Sequence, residues 1–199
     1  MNIGIDIDDT ISDTYDTMFP YAQKYTIEDL KKSGRINKPY EAISHKYIQF
    51  MHEWNQEEDK EFWKRYYEQL ISEVKVKALA VETIKKLAEN NKIILITARW
   101  ENDKGTIYPT TIKWLKDNNI VYDELIINSD DKLKTAKEYD IDLFIDDSFD
   151  NCKRVSSGDI KTFIMDSRLN QSFNDENITR VYSWPHIYQE YEKIVKGEA

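Results

Sequence analysis

The chain of 199 residues contains a single cysteine, Cys152. One thiol cannot close an intramolecular disulfide framework or build a multi-cysteine zinc site. A chain that uses neither is expected in a reducing compartment, the cytoplasm. Basic residues are in the minority: 28 Lys and Arg against 37 Asp and Glu give a net charge of -9. That balance speaks against nucleic acid as the main partner, because a phosphate backbone is met by a basic face. No apolar run approaches the roughly 18 residues that span a bilayer. The N-terminus lacks a basic stretch followed by an apolar one, so no signal peptide is expected. Histidine is scarce, 3 in all. His52-Glu53 is half of a zinc-protease motif, but no second histidine follows at the required spacing. His45 and His186 are expected at or near the surface, and Cys152 as a small packing residue. Internal repeats and low-complexity segments are absent. The length suits one domain, or a core carrying a sizeable insertion, and suffices to bury a real core.

What the sequence does have is acid at the ends of apolar runs. Residues 2 to 8 read as a short strand, rich in Ile and ended by acids. From about 14 to 75 the chain is rich in Tyr, Trp, Lys and Glu at helical spacing, with a turn expected at "KKSGRINKPY". Within it, "NQEEDKEFWKRYYEQLISEV" reads as an amphipathic helix with acids near its N-terminal end, where the helix dipole favours them. The aromatics Tyr15, Tyr21, Trp54, Phe62, Trp63 and Tyr66 recur at helical spacing and are expected to form mostly core. The run Lys31, Lys32, Arg35 and Lys38 reads as a solvated turn, with attraction of an anionic substrate as the alternative.

Beyond residue 76 the pattern alternates. "AVETIKKLAENN", "YPTTIKWLKDNN" and "KLKTAKEYD" read as helices. "KIILITA", "ELIIN", "DLFIDD" and "KTFIMD" read as strands, and "WPHIYQEYEKIVKG" as a closing helix. Strands alternating with helices imply right-handed βαβ units and a mostly parallel sheet. The expected fold is therefore α/β: a three-layer Rossmann-like parallel sheet over 1–13 and 76–199. An all-helical cap, 14–75, is inserted after the first strand.

In such sheets ligands bind beyond the carboxyl ends of the strands. Those ends carry Asp6, Asp8, Asp9 and Thr10 on the first strand and Thr97, Ala98 and Arg99 after "IILI". Ser129, Asp130, Asp131 and Lys132 follow "ELIIN", and Asp146 and Asp147 end "DLFI". Clustered carboxylates repel unless a cation offsets them. Hard oxygen donors in small number point to Mg²⁺, which keeps several waters and suits a phosphate neighbour.

The order Asp-x-Asp-x-Thr, strand-Thr, Lys, strand-Asp-Asp resembles the haloacid dehalogenase superfamily of phosphohydrolases, over roughly 1 to 12 and 76 to 150. "ITAR", "DLFIDDS" and "YSWPHIYQEY" are similar to deoxyribonucleotidase-type 5′-nucleotidases. The resemblance implies Asp6 as nucleophile, Asp8 as general acid and base, and Thr97 and Lys132 on the phosphoryl group and its charge. Lys134 and Lys137 are alternatives to Lys132. It implies Mg²⁺ held by Asp6, the Asp8 carbonyl and Asp147, with Asp146 beside it. Thr10, Ala98 and Arg99 are substrate-binding candidates. For Thr10 the alternative is shaping the turn, and for Arg99 it is a surface ion pair. The expected activity is Mg²⁺-dependent hydrolysis of small phosphomonoesters, nucleoside 5′-monophosphates leading, through an aspartyl-phosphate. A silent nucleotide- or partner-binding protein of the same fold and a receiver-type signalling module are the alternatives.

Overall fold

The computed structural model describes residues 1–37 and 47–198, with Tyr47 described by its backbone alone. Lys38 and His45 lie outside the described residues. Six strands form one parallel sheet in the order β3-β2-β1-β4-β5-β6. They are β1 (Asn2–Ile5), β2 (Lys92–Ile96), β3 (Glu124–Ile126), β4 (Leu143–Asp146), β5 (Lys161–Met165) and β6 (Ile178–Val181). A receiver follows the order 2-1-3-4-5, so this sheet is not a receiver's.

Period-two alternation sorts the buried residues of the strands onto two faces. Ile3 and Ile5 of β1, Ile93 and Leu95 of β2, and Leu143 and Ile145 of β4 point to one side. There they meet helices α4 (Ala80–Ala88), α5 (Ile107–Asp117) and α8 (Trp184–Lys196), through Ile84, Trp114, Leu115, Trp184 and Ile187. Ile94, Ile96 and Phe144 point to the other side. They pack on Ala136 of α6 (Lys132–Glu138) and Val155 of α7 (Phe149–Ser156). Each fully buried Ile, Leu or Phe contributes about 1.5–3 kcal/mol, and this three-layer packing makes the sheet rigid. Gly4 sits at its centre because a Cβ there would lie 3.2 Å from Ile96, Ile141 and Phe144 side chains.

Two elements go beyond the sequence expectation, α7 and β6. Cys152, on α7, packs on Ile164 and Ile178, as a small packing residue. The first strand is also shorter than expected: it ends at Ile5, Asp6 N–H still donates to the Ile145 carbonyl, and the turn that leaves it runs over Asp9 to Ile11.

Between β1 and α4 the chain forms helices α1 (Thr14–Lys24), α2 (Tyr47–Met51) and α3 (Gln56–Glu73), with a π turn at Tyr25–Asp29. Asn55 starts α3 by a capping box with Glu58, which satisfies N–H groups the first turn leaves free. These helices share a core of their own: Met18, Ala22, Tyr25, Ile48, Trp54, Phe62, Tyr66 and Leu70. The segment enters and leaves through one point. Ser12 bridges Val76 in antiparallel fashion, Asp13 N–H donates to Lys75 O, and Lys77 N–H donates to Ile11 O. On its far side α3 lies on α5 through Tyr67, Ile71 and Ile107. Tyr67 also stacks on Trp100, with ring centroids 4.0 Å apart. Lys32 is held by Glu58 at 2.6 Å, while Lys31 and Arg35 are exposed. Among the described residues no helix is long and apolar enough to cross a membrane.

Candidate active site

The sheet order reverses at β1, whose neighbours are β2 and β4. Loops leaving β1 and β4 therefore diverge, and the gap between them is where open α/β sheets bind ligands. Asp6 and Asp8 leave β1 at this gap, and Asp146 and Asp147 leave β4.

Asp6 is 6% exposed. Lys132, at the first position of α6, reaches it with Nζ 2.7 Å from Oδ1 and also donates to the carbonyl of Ile96. Lys134 and Lys137 are exposed, so Lys132 is the lysine that the fold brings to Asp6. Carboxylate oxygens of Asp6, Asp146 and Asp147 lie within 4.8 Å of one another. Burial pushes Asp6 up from 3.8 to about 8 despite Lys132, and the charges of Asp146 and Asp8 add to the rise. Burial raises Asp147 well above the carboxylate range, with Asp9, Asp146 and Asp6 contributing, and raises Asp146. A cation among these oxygens would remove that strain, and an all-carboxylate donor set fits Mg²⁺. The two strand-end acids of β4 differ in what they can offer. Asp146 already accepts from Ser148 N–H at 2.7 Å and from the Asn151 amide at 3.0 Å. Asp147 faces Thr10, whose hydroxyl is 3.5 Å from Oδ1. Asp147 is thus the better placed for a direct bond to metal. Thr10 is fully buried, and its hydroxyl serves Asp147.

Asp8 lies outside this trio. Arg99 grips it by a two-pronged pair, Nε to Oδ2 at 2.9 Å and Nη2 to Oδ1 at 2.8 Å. The Thr14 hydroxyl donates to Oδ1 at 2.8 Å and Thr97 to Oδ2 at 3.4 Å. Against the cost of leaving water, the Arg99 charge and these hydrogen bonds hold Asp8 below the ordinary carboxylate range. Arg99 is buried, so the surface ion pair weighed from sequence is a buried one. Ala98, between Thr97 and Arg99, is exposed. Asp9 adopts a left-handed conformation, φ 58°, and its carboxylate caps α1 by accepting from Tyr15 N–H at 2.9 Å.

Several residues at the site escaped the sequence reading. Asn170, in the loop after β5, donates to the carbonyl of Asp147 at 2.7 Å and to that of Met165 at 2.8 Å. Arg180 of β6 fixes Asn170 in turn, donating to its side chain at 2.6 Å and its backbone at 3.0 Å. The pair braces the Asp147 loop from beneath. Beside Asp147 opens a cleft of about 440 Å³, counting space open to solvent, whose walls include Tyr15, Lys77, Ser167 and Arg168. His52, by contrast, lies inside the aromatic cluster against Thr26 and Trp54, and burial lowers it to about 4. His186 is partly buried and contacts Glu190 at 3.2 Å.

The parallel sheet, with four acids, a buried lysine and an arginine at its switch point, has the fold of haloacid dehalogenase-like hydrolases. Solved structures share the fold: a haloacid dehalogenase-like hydrolase from Streptococcus pneumoniae superposes with a TM-score of 0.67 at 13% identity, covering 96% of this chain and 97% of that one. A Bacillus subtilis protein solved bound to magnesium superposes at 0.62 and 15% identity, covering 95% and 97%. The model of the family described as 5′ nucleotidase, deoxy (pyrimidine), cytosolic type C protein (NT5C) matches residues 1–196. A protein of Clostridium acetobutylicum named a nucleotidase is 32% identical over 201 residues, covering 100% of this chain and 98% of its own. The chain belongs to this nucleotidase family and is an enzyme of the phosphatase class.

Proposed function

We propose that the protein is a Mg²⁺-dependent phosphomonoester hydrolase acting through an aspartyl-phosphate, with a nucleoside 5′-monophosphate as substrate. One observation carries the reading: a buried carboxylate, Asp6, at the sheet's switch point, paired with Lys132 and set among two further acids. A structural core has no use for such a group, and a phosphoryl acceptor does.

Asp6, Asp147, the Asp8 carbonyl and, directly or through water, Asp146 would hold the metal. When bound, it supplies positive charge against the phosphoryl oxygens and the nucleophile. Lys132 takes Oδ1 of Asp6, leaving Oδ2 to form the bond to phosphorus as the ester P–O bond breaks. Asp8, ionised in the free site, first takes a proton from solvent as substrate binds and then gives that proton to the departing alcohol oxygen. It then takes one from water, whose oxygen attacks phosphorus and frees Asp6 and inorganic phosphate. The Thr97 hydroxyl and Lys132 hold the phosphoryl oxygens in line with this attack. Ala98 is the open loop position where substrate is met. Residues 14–75 act as a cap that screens the site from bulk water and admits a small ester. A single, buried cysteine, Cys152, accords with a cytoplasmic location.

The test is a phosphate-release screen over nucleoside monophosphates, sugar phosphates and aryl phosphates, with Mg²⁺ and with excess EDTA. Hydrolysis of nucleotides that EDTA abolishes is expected. Full activity in EDTA would overturn the metal assignment, and hydrolysis of sugar phosphates without nucleotides would overturn the substrate class.

A further inference from the structure

Arg99 is a buried charged group at the site to which the reaction above gives no task. It is 3% exposed. Nε and Nη2 are committed to Asp8, and Nη1 donates to the Thr111 hydroxyl of α5 at 3.3 Å. The guanidinium carbon lies 5.4 Å from the centre of the Trp114 ring, and the Arg99 N–H donates to the Thr97 hydroxyl at 3.2 Å. The core therefore fixes Arg99 from several sides. Asp8, with its side chain 34% exposed, stands between it and the open site. A phosphate ligand would have to reach past Asp8.

The donors around Asp8 add a second point. A carboxylate offers about four lone-pair positions, and Asp8 has four donors: Arg99 Nη2 and Thr14 on Oδ1, Arg99 Nε and Thr97 on Oδ2. The longest contact, 3.4 Å, is that of Thr97, the hydroxyl assigned to the phosphoryl group. When phosphate draws that hydroxyl away, Oδ2 is opened on the side where the ester oxygen departs. The two-pronged grip and Thr14 keep the carboxylate from rotating meanwhile.

We infer that Arg99 is a positioning residue, which holds Asp8 in the orientation for proton transfer to the leaving oxygen and does not itself touch substrate. The inference rests on the functional reading above. A double-mutant cycle on the full chain with Mg²⁺ tests it, using Arg99→Gln, Asp8→Asn and both together. The substrates are a nucleoside monophosphate and an aryl phosphate, with inorganic phosphate as inhibitor. Misplacing a reacting group can cost 10²-fold, so Arg99→Gln should lower kcat about 10- to 100-fold on the nucleotide and less on the aryl ester. KM and inhibition by phosphate should not move. In the Asp8→Asn background the same change should cost less than about twofold, the scatter of independent sites. Arg99→Lys keeps the charge without the fork and should be as slow as Arg99→Gln; it replaces the latter in the cycle if Arg99→Gln does not fold. Equal losses in both backgrounds, weakened phosphate inhibition, or wild-type kcat in Arg99→Lys would overturn the assignment. A wild-type protein that hydrolyses neither ester would fail the functional reading instead. The Arg99 assignment would then rest on a phosphate-bound crystal structure: a guanidinium still on Asp8 upholds it, and one hydrogen-bonded to the anion overturns it.

Discussion

Asp6→Asn should make the metal-free protein more stable while abolishing its chemistry. Asp6 titrates at about 8 in the folded protein against an ordinary 3.8. Between those values the folded state keeps a proton that the unfolded chain has released. The unfolded state thus binds fewer protons, and stability falls as pH rises through the window, until the loss is complete above the folded value. At pH 7 roughly three pH units of that window have been crossed, and at 1.36 kcal/mol per unit the cost is up to about 4 kcal/mol. Asn has the shape of the protonated acid and pays none of it. For a chain of this size each kcal/mol moves Tm by about 2–4 °C, so a rise of up to roughly 8–16 °C is expected in EDTA at neutral pH. The gap should narrow towards acid pH. It should also narrow or reverse in Mg²⁺, because the ion replaces the missing charge and Asn is a poorer ligand. Thermal unfolding of both proteins across about pH 5 to 8, with EDTA and with Mg²⁺, measures this. A variant no more stable than wild type in EDTA, or a gap independent of pH, would refute the argument that buried repulsion is stored at this site.

Three further outcomes are expected. On turnover, Asp6→Asn should show none, whereas Asp8→Asn should lose about 10²- to 10⁴-fold, least on aryl phosphates; equal losses on every ester would disprove the division of labour. Asn170→Ala removes the brace under Asp147 and should weaken Mg²⁺ binding about 10- to 100-fold by calorimetry, and an unchanged affinity in a folded variant would show the brace to be idle. Base stacking is worth about 1–3 kcal/mol, so Tyr15→Ala in the cleft wall should cost nucleotide turnover about 5- to 150-fold and spare an aryl phosphate. Phe62→Ala, in the aromatic core, should instead cost about 3–5 kcal/mol of stability, and equal loss on both substrates in Tyr15→Ala would remove it as the stacking residue.

The strands and their acidic ends were legible because two local signals coincide: a short apolar run, and charge where it stops. Asp6, Asp8, Asp146 and Asp147 stand out on that basis, and parallel pairing then has to bring them together. β6 escaped because Ile178-Thr-Arg-Val has no alternation, with Thr179 and Arg180 half-buried. Helix α7 escaped because among its eight residues only Cys152 and Val155 are buried. Asn170 sits in a polar stretch, "DSRLNQSF", that reads like any solvated loop. What makes it structural is the carbonyl of Asp147, 23 positions away, and no local pattern reports such a partner. Arg99 was ambiguous for the same reason. Beside Thr97 it has the composition of a phosphate-binding loop, and only the Asp8 carboxylate, 91 positions earlier, redirects it.

The bridge between Ser12 and Val76 bears on how this chain can change over generations. With entry and exit zipped together, everything between them is a closed loop as far as β1 and α4 are concerned. Doubling the length of such a loop costs only about 0.6 kcal/mol in closure entropy. Changes of length between α1 and α3, clear of Thr14, Tyr15 and the face of α3 that lies on α5, therefore pull on neither Asp6 nor the sheet. On the reading proposed above, that stretch of the cap can be lengthened or shortened while Asp6, Asp146 and Asp147 stay where the sheet holds them.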